Sequence, residues 1–375
     1  MITPVKISII GDFIDSQIYN GKLYLWHFNG KLSIYDWNRL IERINKDANN
    51  KDINIFSLKY NKISEINDEI KNSIIEKFKQ ISNTECEISD IEDYKIFETE
   101  SPTGILPIDT EIHNNVLYCL TEKGLFSSQT IKTNKSKQVN KITDIKAFSI
   151  KANKDARIVI SAGDDGVYEY YINDNIDKNT VLRTIDKSVY QVSDHHSTFA
   201  NYVNRSIYST SLVRESMFLD YGWNNREKVF VRKPNADIES SNLFGDNTGL
   251  DVSWGVNDKI FKISNKNIKI RRVSNINKKN MTVDSFDIQD KLGYGNVISA
   301  NATHFGTIIE YENALLVKCS NNEEWVIKEE IVNWRIFPRS KCYQNQMHVI
   351  LNDRIEIYSF NHDYFIDQKH NQSGI

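Results

Sequence analysis

With 375 residues, 26% of them charged and 40% hydrophobic, the chain has the make-up of a folded globular protein, and it is long enough for two ordinary domains or one large repeat-built domain. Its 47 basic and 50 acidic residues, net −3 at pH 7, are mixed along the chain, and no block of like charge would serve as a nucleic-acid arm or a membrane-binding patch. No stretch approaches the roughly 18 apolar residues of a membrane-spanning helix, and the opening MITPVKISIIGDF lacks the apolar core and cleavage site of a secretory signal.

Val5 to Ile10 (VKISII) alternates apolar and polar residues, as a strand does. From Asp15 the text reads DSQIYNGKLYLWHFNGKLSIY, three alternating runs separated by Asn20-Gly21 and Asn29-Gly30. Asn-Gly between alternating runs predicts a hairpin, because both central residues of a type I′ turn need positive φ. A three-stranded meander is therefore expected here. Apolar residues then recur at helical spacing, first at Trp37, Leu40, Ile41 and Ile44, then at Ile63, Ile66, Ile70, Ile74, Phe78 and Ile81. DINIFSLKY separates the two stretches and ECEISDIEDYKIFE follows them, so residues 37–100 read as a helix-containing insertion after the first blade, between the first and second blades. It is either a brace packed on its own protein or, through Ile66, Ile70 and Ile74, an element that recruits a partner.

Asp109 opens a second copy of the meander, DTEIHNNVLYCLTEKGLFS, with Asn114-Asn115 and Lys123-Gly124 at the turns. Asp144 opens a third, in which Asp165-Gly166 precedes the third strand. Further copies begin at Ser197, Asp251, Asn296 and Arg339, which makes seven units. Third strands, marked by Val167, Phe218, Ile268, Leu315 and Ile355, recur every ~40–50 residues, the period of a four-stranded propeller blade. A fourth strand fits each gap, as VLRTI after Tyr171 and EWVIKEE after Cys319. One small antiparallel sheet cannot bury both of its faces, whereas seven packed face to face about an axis bury a continuous core. The expected fold is all-β, a single seven-bladed propeller of four-stranded antiparallel blades over residues 1–375. Residues 5–10 are expected to close the last blade, with DYFIDQK near the C-terminus as the alternative.

The segment SAGDDGVYEY, Ser161 to Tyr170, resembles the second-strand, tight-turn, third-strand segment of the WD40-type β-propeller family. The likeness covers most of the chain as a pattern. The Trp-Asp ending of that family is approached only at Tyr35-Asp36-Trp37, and its Gly-His dipeptide is replaced by Asp194-His195-His196 in the fourth unit. The resemblance implies a propeller whose faces dock other proteins.

Signatures of catalysis are absent from the text. There is no phosphate-binding Gly-x-x-x-x-Gly-Lys loop, no Gly-x-Ser-x-Gly elbow and no His-Glu-x-x-His, and Gly293-Tyr294-Gly295 lacks the third glycine of a dinucleotide site. His195 and His196 are neighbours, so on a strand they point to opposite sides and do not share a metal. Gly163-Asp164-Asp165-Gly166 lies where a hairpin turn is needed. No metal or cofactor is expected.

One polar constellation stands out. Aligned on the first strand of each unit, Asp15, Asp109, Asp144 and Asp251 share a position, with Asn296 and Arg339 in the last two units. These residues are expected at a channel mouth, where Asp serves either the turn entering a strand or a focused negative potential. Arg339 is expected to pair with Asp15. The function these features suggest is a non-catalytic interaction scaffold or regulatory subunit with protein partners, set in a bacterial regulatory or defence assembly. An enzyme or small-ligand binder using the acidic mouth is the alternative. Four dispersed cysteines without a Cys-x-x-Cys pair suggest reduced thiols and a cytoplasmic setting. The oligomeric state is not legible in the text.

Overall fold

Asn20 and Gly21 both adopt positive φ, 48° and 74°, and so do Asn114 and Asn115, at 48° and 61°. Both pairs therefore make the tight turns that a right-twisted hairpin requires. At Asn29-Gly30 only the glycine has positive φ, and its amide donates to the His27 carbonyl at 3.0 Å. That connection is a three-residue loop with Gly30 at the bulge, not the two-residue turn expected. The second copy also differs, because Thr121 pairs with Gly124 and the turn is Glu122-Lys123.

These turns were seen in a computed structural model, which describes residues 4–47, 58–59, 69, 85–88, 91–100, 104–129, 139–153, 156–172, 189–211, 215–224, 229–244, 251–263, 267–273, 284–287, 294–303, 305–319, 323–340 and 342–360. After β1 (Val5–Ile10), the first blade takes β2 (Phe13–Tyr19), β3 (Lys22–His27) and β4 (Lys31–Asp36). Helix α1 (Trp37–Asp47), capped by an Asp36 carboxylate that accepts the Arg39 amide at 3.0 Å, leads away from β4. The chain returns through β5 (Glu85–Ile88) and a 3₁₀ turn (Glu92–Tyr94) to β6 (Lys95–Glu100), the outer strand of the first blade. The insertion thus lies between that blade's third and fourth strands.

Four blades follow: β7 (Asp109–His113) to β10 (Val139–Thr143), β11 (Ser149–Asn153) to β14 (Val189–Ser193), β15 (Phe199–Val203) to β18 (Val229–Glu239), and β19 (Val252–Val256) to β22 (Asp284–Asp287). Within them lie β8 (Val116–Thr121), β9 (Gly124–Gln129), β12 (Arg157–Ser161), β13 (Val167–Tyr171), β16 (Ser206–Thr210), β17 (Ser216–Asn224), β20 (Lys259–Ile263) and β21 (Asn267–Arg272). A short helix α2 (Ser240–Phe244) follows β18, outside the insertion where helix was expected. VLRTI lies outside the described residues, and the outer strand of the third blade is β14. The sixth blade comprises β23 (Val297–Thr303), β24 (Gly306–Tyr311), β25 (Ala314–Cys319) and β26 (Glu324–Ile327), the last as expected from EWVIKEE. The seventh comprises β27 (Asn333–Ile336), β28 (Gln346–Ile350) and β29 (Arg354–Ser359), completed by β1 in antiparallel register, Val5 opposite Ser359. The sheet then gains a fifth strand, as β5 pairs parallel to β1 with Lys6 opposite Glu85. Seven antiparallel blades make the chain a seven-bladed β-propeller.

The chain divides into two compact units, residues 1–101 with 292–375, and residues 102–291. In the first, Ile7 and Ile9 of β1, Leu23 and Leu25 of β3, and Ile355 and Ile357 of β29 bury together with Trp37, Leu40 and Ile41 of α1 and with Leu58. The Leu58 carbonyl accepts from Trp37 Nε1 at 2.9 Å, within the insertion, and from Gln346 Nε2 at 2.5 Å, which anchors the insertion on β28. In the second unit, Tyr118, Leu120 and Leu125 pack on Ile150, Ile158 and Ile160 of the next blade. Val159 and Val167 likewise pack on Tyr202, Ile207 and Leu219. Inner strands such as β3 are buried through successive residues because both faces meet neighbours, while the outer β6 alternates half-buried with exposed positions. Each fully buried aliphatic or aromatic side chain contributes roughly 1.5–3 kcal/mol.

Candidate functional site: the inner-strand carboxylates

A bulge between Phe13 and Asp15 re-aims β2 at its start and leaves Asp15 buried. One oxygen of its carboxylate accepts the Ser16 amide at 2.8 Å. Arg335, on the first strand of the seventh blade, grips it with two donors, Nη2 to Oδ2 at 2.7 Å and Nε to Oδ1. Asn333 donates from Nδ2 to the Ile14 carbonyl at 3.2 Å, beside the same carboxylate. The two charged side chains are 6% and 12% exposed, so this fork-on-fork pair is shielded from water. The next residue, Ser16, places Oγ 2.7 Å from Nδ1 of His348 on β28. His348 is fully buried, with the Phe337 ring edge-on at 4.8 Å. Burial and then the nearby Arg335 charge push its imidazole down to about 3, which keeps it neutral.

Arg339 was the residue expected opposite Asp15. The structure gives the bidentate role to Arg335 and sets Arg339 in the loop between β27 and β28. The difference arises because β27 begins at Asn333, ahead of the unit boundary assumed at Arg339. The text NWRI held the signal, a short strand with Trp and Ile flanking a single Arg. Ser16 and His348 had no signal, since a lone Ser and a lone His on separate strands form no motif.

In the second unit Asp109 stands where Asp15 does in its own blade, five residues ahead of the first Asn of the hairpin, paired with Leu120 as Asp15 pairs with Trp26. Its Oδ1 accepts the Thr110 amide at 2.9 Å. Its Oδ2 accepts the Ile150 amide at 2.9 Å and the Lys151 ammonium at 3.1 Å, both on the next blade. Asp251 is just ahead of β19 and forms an ion pair with Lys262 of β20 at 3.0 Å, each side chain at most 5% exposed. Asp144 is different. It is highly exposed in the loop before β11, beside Lys141, and the place it was assigned belongs to Ser149, which pairs with Ser161. Asn296 precedes β23 and donates to Glu312 at 2.9 Å. The alignment therefore holds for Asp15 and Asp109, while Asp144, Asp251, Asn296 and Arg339 occupy other positions. Ile66, Ile70 and Ile74 lie outside the described residues.

Two buried glutamates were not singled out in the sequence. Glu169 and Glu356 each sit two residues into the third strand of their blades. Glu169 accepts from Tyr190 Oη at 2.6 Å and Tyr202 Oη at 2.8 Å, with Arg157 Nη1 at 3.5 Å. Glu356 meets Lys6 Nζ at 3.2 Å, Arg354 Nε at 3.1 Å and the Tyr358 hydroxyl. Burial alone would push the Glu356 carboxyl up, but the Tyr358 hydroxyl, Arg354 and Lys6 together hold it below the usual carboxylate range. Because Lys6 belongs to β1, this hub also ties the closing strand to β29. Gly163-Asp164-Asp165-Gly166 is the expected turn, with the Asp165 amide donating to the Ala162 carbonyl at 3.2 Å. Asp164 holds His196 at 2.6 Å, and among the described residues no group of three or more His, Cys, Asp or Glu side chains converges as a metal site.

No family model and no curated protein matches the sequence. Solved structures match by shape alone. The Cps50 (Swd1) β-propeller domain of Myceliophteria thermophila superposes with a TM-score of 0.54 at 8% identity, over 93% of this chain and 98% of that one. A streptogramin B lyase gives 0.50 at 10% identity, over 95% and 97%. PorZ, a surface component of the type-IX secretion system of Porphyromonas gingivalis, gives 0.50 at 9% identity. That match covers 94% of this chain, which spans 37% of the length of PorZ. Among the described residues no helix is long and apolar enough to cross a membrane. At such identities the likeness is one of fold, and the fold is the β-propeller, similar to WD40-type propellers in its seven four-stranded blades.

Proposed function

We propose that the chain is a non-catalytic protein-interaction module, a scaffold or regulatory subunit of a cytoplasmic bacterial assembly. The observation that supports this reading is the internal use of the inner-strand carboxylates. Asp15, Asp109 and Asp251 are 4%, 8% and 5% exposed and hold cations or amides of their own or an adjoining blade. A catalytic acid or base must instead reach a substrate proton. Asp144 stays in the proposal as an exposed acidic contact. With these carboxylates engaged inside the protein, the loops and blade ends are left for recognition.

The test is affinity purification of the tagged full chain from its native host after brief cross-linking, read by mass spectrometry. The reading expects one or a few proteins in near-stoichiometric yield that survive a high-salt wash. Recovery of the chain alone, with abundant background proteins only, would remove it.

A further inference from the structure

Among the described residues of the second unit, the exposed large apolar side chains are Leu106, Ile108 and Phe148. All three stand at one end of their blades, where the chain enters an inner strand. Ile108 and Phe148 hold the same register position, immediately before β7 and β11. Each donates its amide across the hairpin, Ile108 to Leu120 and Phe148 to Ser161, at 2.7 and 2.8 Å. The bond from the Ile150 amide to Asp109 brings β7 and β11 together at this end, so the two side chains stand at the same end of adjoining strands. The Phe148 ring also lies over Gly163, where an added Cβ would meet its Cε2 at 2.8 Å. In the fourth and fifth blades the same register position is held by the polar Thr198 and Asp251. Within the second unit the apolar patch is therefore confined to the second and third blades. In the first unit Val332, immediately before β27, is exposed at that register position.

Half-exposed Ile and Phe side chains at the same end of adjoining blades fit an interaction site. The loops around the patch indicate what fits it. At this end of the second unit the described residues expose Glu122, Asp144, Asp164, Asp165, Asp194 and Glu215, against Lys123, Lys146 and Lys141, the last paired with Asp144. An apolar centre inside a negatively charged rim suits a segment with aliphatic or aromatic anchors flanked by Lys or Arg. We propose that the strand-entry end of the second and third blades, centred on Ile108 and Phe148, docks a basic, apolar-anchored peptide segment of a partner protein. This rests on the interaction-module reading and names the surface and partner chemistry for it.

The experiment uses the full chain and a short fluorescein-labelled peptide alternating Lys with Leu and Phe, with a Glu-for-Lys counterpart as control, read by fluorescence anisotropy. Phe148→Ser and the Asp164→Asn, Asp165→Asn double variant are compared with Ile96→Ser, an exposed apolar position on an outer strand. Thermal unfolding confirms that each variant is folded. The expected result is binding of the Lys peptide by wild type and Ile96→Ser alike, weakened at least about tenfold by Phe148→Ser. Binding should weaken in the double Asn variant and with rising salt. Equal binding by Phe148→Ser, or equal binding of the Glu peptide, overturns the proposal. A concentration-dependent dimer in analytical ultracentrifugation, abolished by Phe148→Ser, assigns the patch to a second copy and overturns it too. A host protein retained equally by Phe148→Ser sinks the patch while leaving the interaction-module reading intact.

Discussion

Arg335 and Asp15, 320 residues apart, lock the first strands of the seventh and first blades together through a bidentate contact, Nη2 to Oδ2 at 2.7 Å. Removing Arg335 strands a buried carboxylate, which typically costs about 3–5 kcal/mol. Arg335→Ala should lower the urea midpoint accordingly, and Arg335→Lys should recover only part, since a point charge cannot match the fork. Because both side chains are nearly buried, the loss should be almost independent of salt. A loss that vanishes in high salt would show that the pair is solvated.

His348 sets an acid limit. Its imidazole is pushed from the ordinary 6.5 down to about 3 in the fold, so below 6.5 the unfolded chain binds a proton that the folded chain refuses. The stability from its neutral form is fully present above 6.5 and drains as pH falls toward about 3, at up to ~1.4 kcal/mol per pH unit. His348→Gln should flatten the stability curve between pH 6 and 4, measured by denaturant titration. An unchanged slope would mean that other groups set the acid limit.

Tyr190 and Tyr202 both donate to the buried Glu169 carboxylate. Tyr202→Phe deletes its hydrogen bond to that charged group, worth about 1.5–3 kcal/mol, and Tyr190→Phe removes in addition the bond its hydroxyl accepts from Arg157 Nη1 at 2.7 Å. Chemical denaturation of Tyr202→Phe should show that loss with little change in the slope of the transition.

Gly124 and Gly30 offer a contrast at positive φ, 110° and 82°. A Cβ on Gly124 would collide with the Thr143 carbonyl oxygen, whereas one on Gly30 meets nothing within 4 Å. Gly124→Ala should therefore destabilise by well over ~1 kcal/mol, and Gly30→Asn, which tolerates left-handed backbone, by less than that. Thermal melts of the two variants side by side check the ordering.

The hairpins were readable because Asn-Gly and Asn-Asn demand an unusual backbone that few other residues adopt, and periodic apolar runs supplied the strands between them. Residues 5–10 announced the closing strand through their alternation. What escaped were features set by distance in space. The β5 strand joins the seventh blade through backbone pairing alone, and ECEI carries no mark of its partner. Arg335 rather than Arg339 reaches Asp15 because loop length, not residue type, decides which guanidinium lies on the strand. Asp144 and Asp109 look alike in the text, yet one sits in an exposed loop and the other under the next blade.

Lys6 of β1 and Glu356 of β29 lie 350 residues apart in sequence and meet in one blade. A ribosome adding about 5–20 residues per second needs on the order of tens of seconds to span that gap. Throughout that interval β1 lacks its antiparallel partner. β5 emerges far earlier and offers β1 a parallel edge, Lys6 against Glu85, long before β29 exists. The order of translation therefore makes the seventh blade the last of the seven to be completed, and the nascent chain must shelter β1 until β29 arrives.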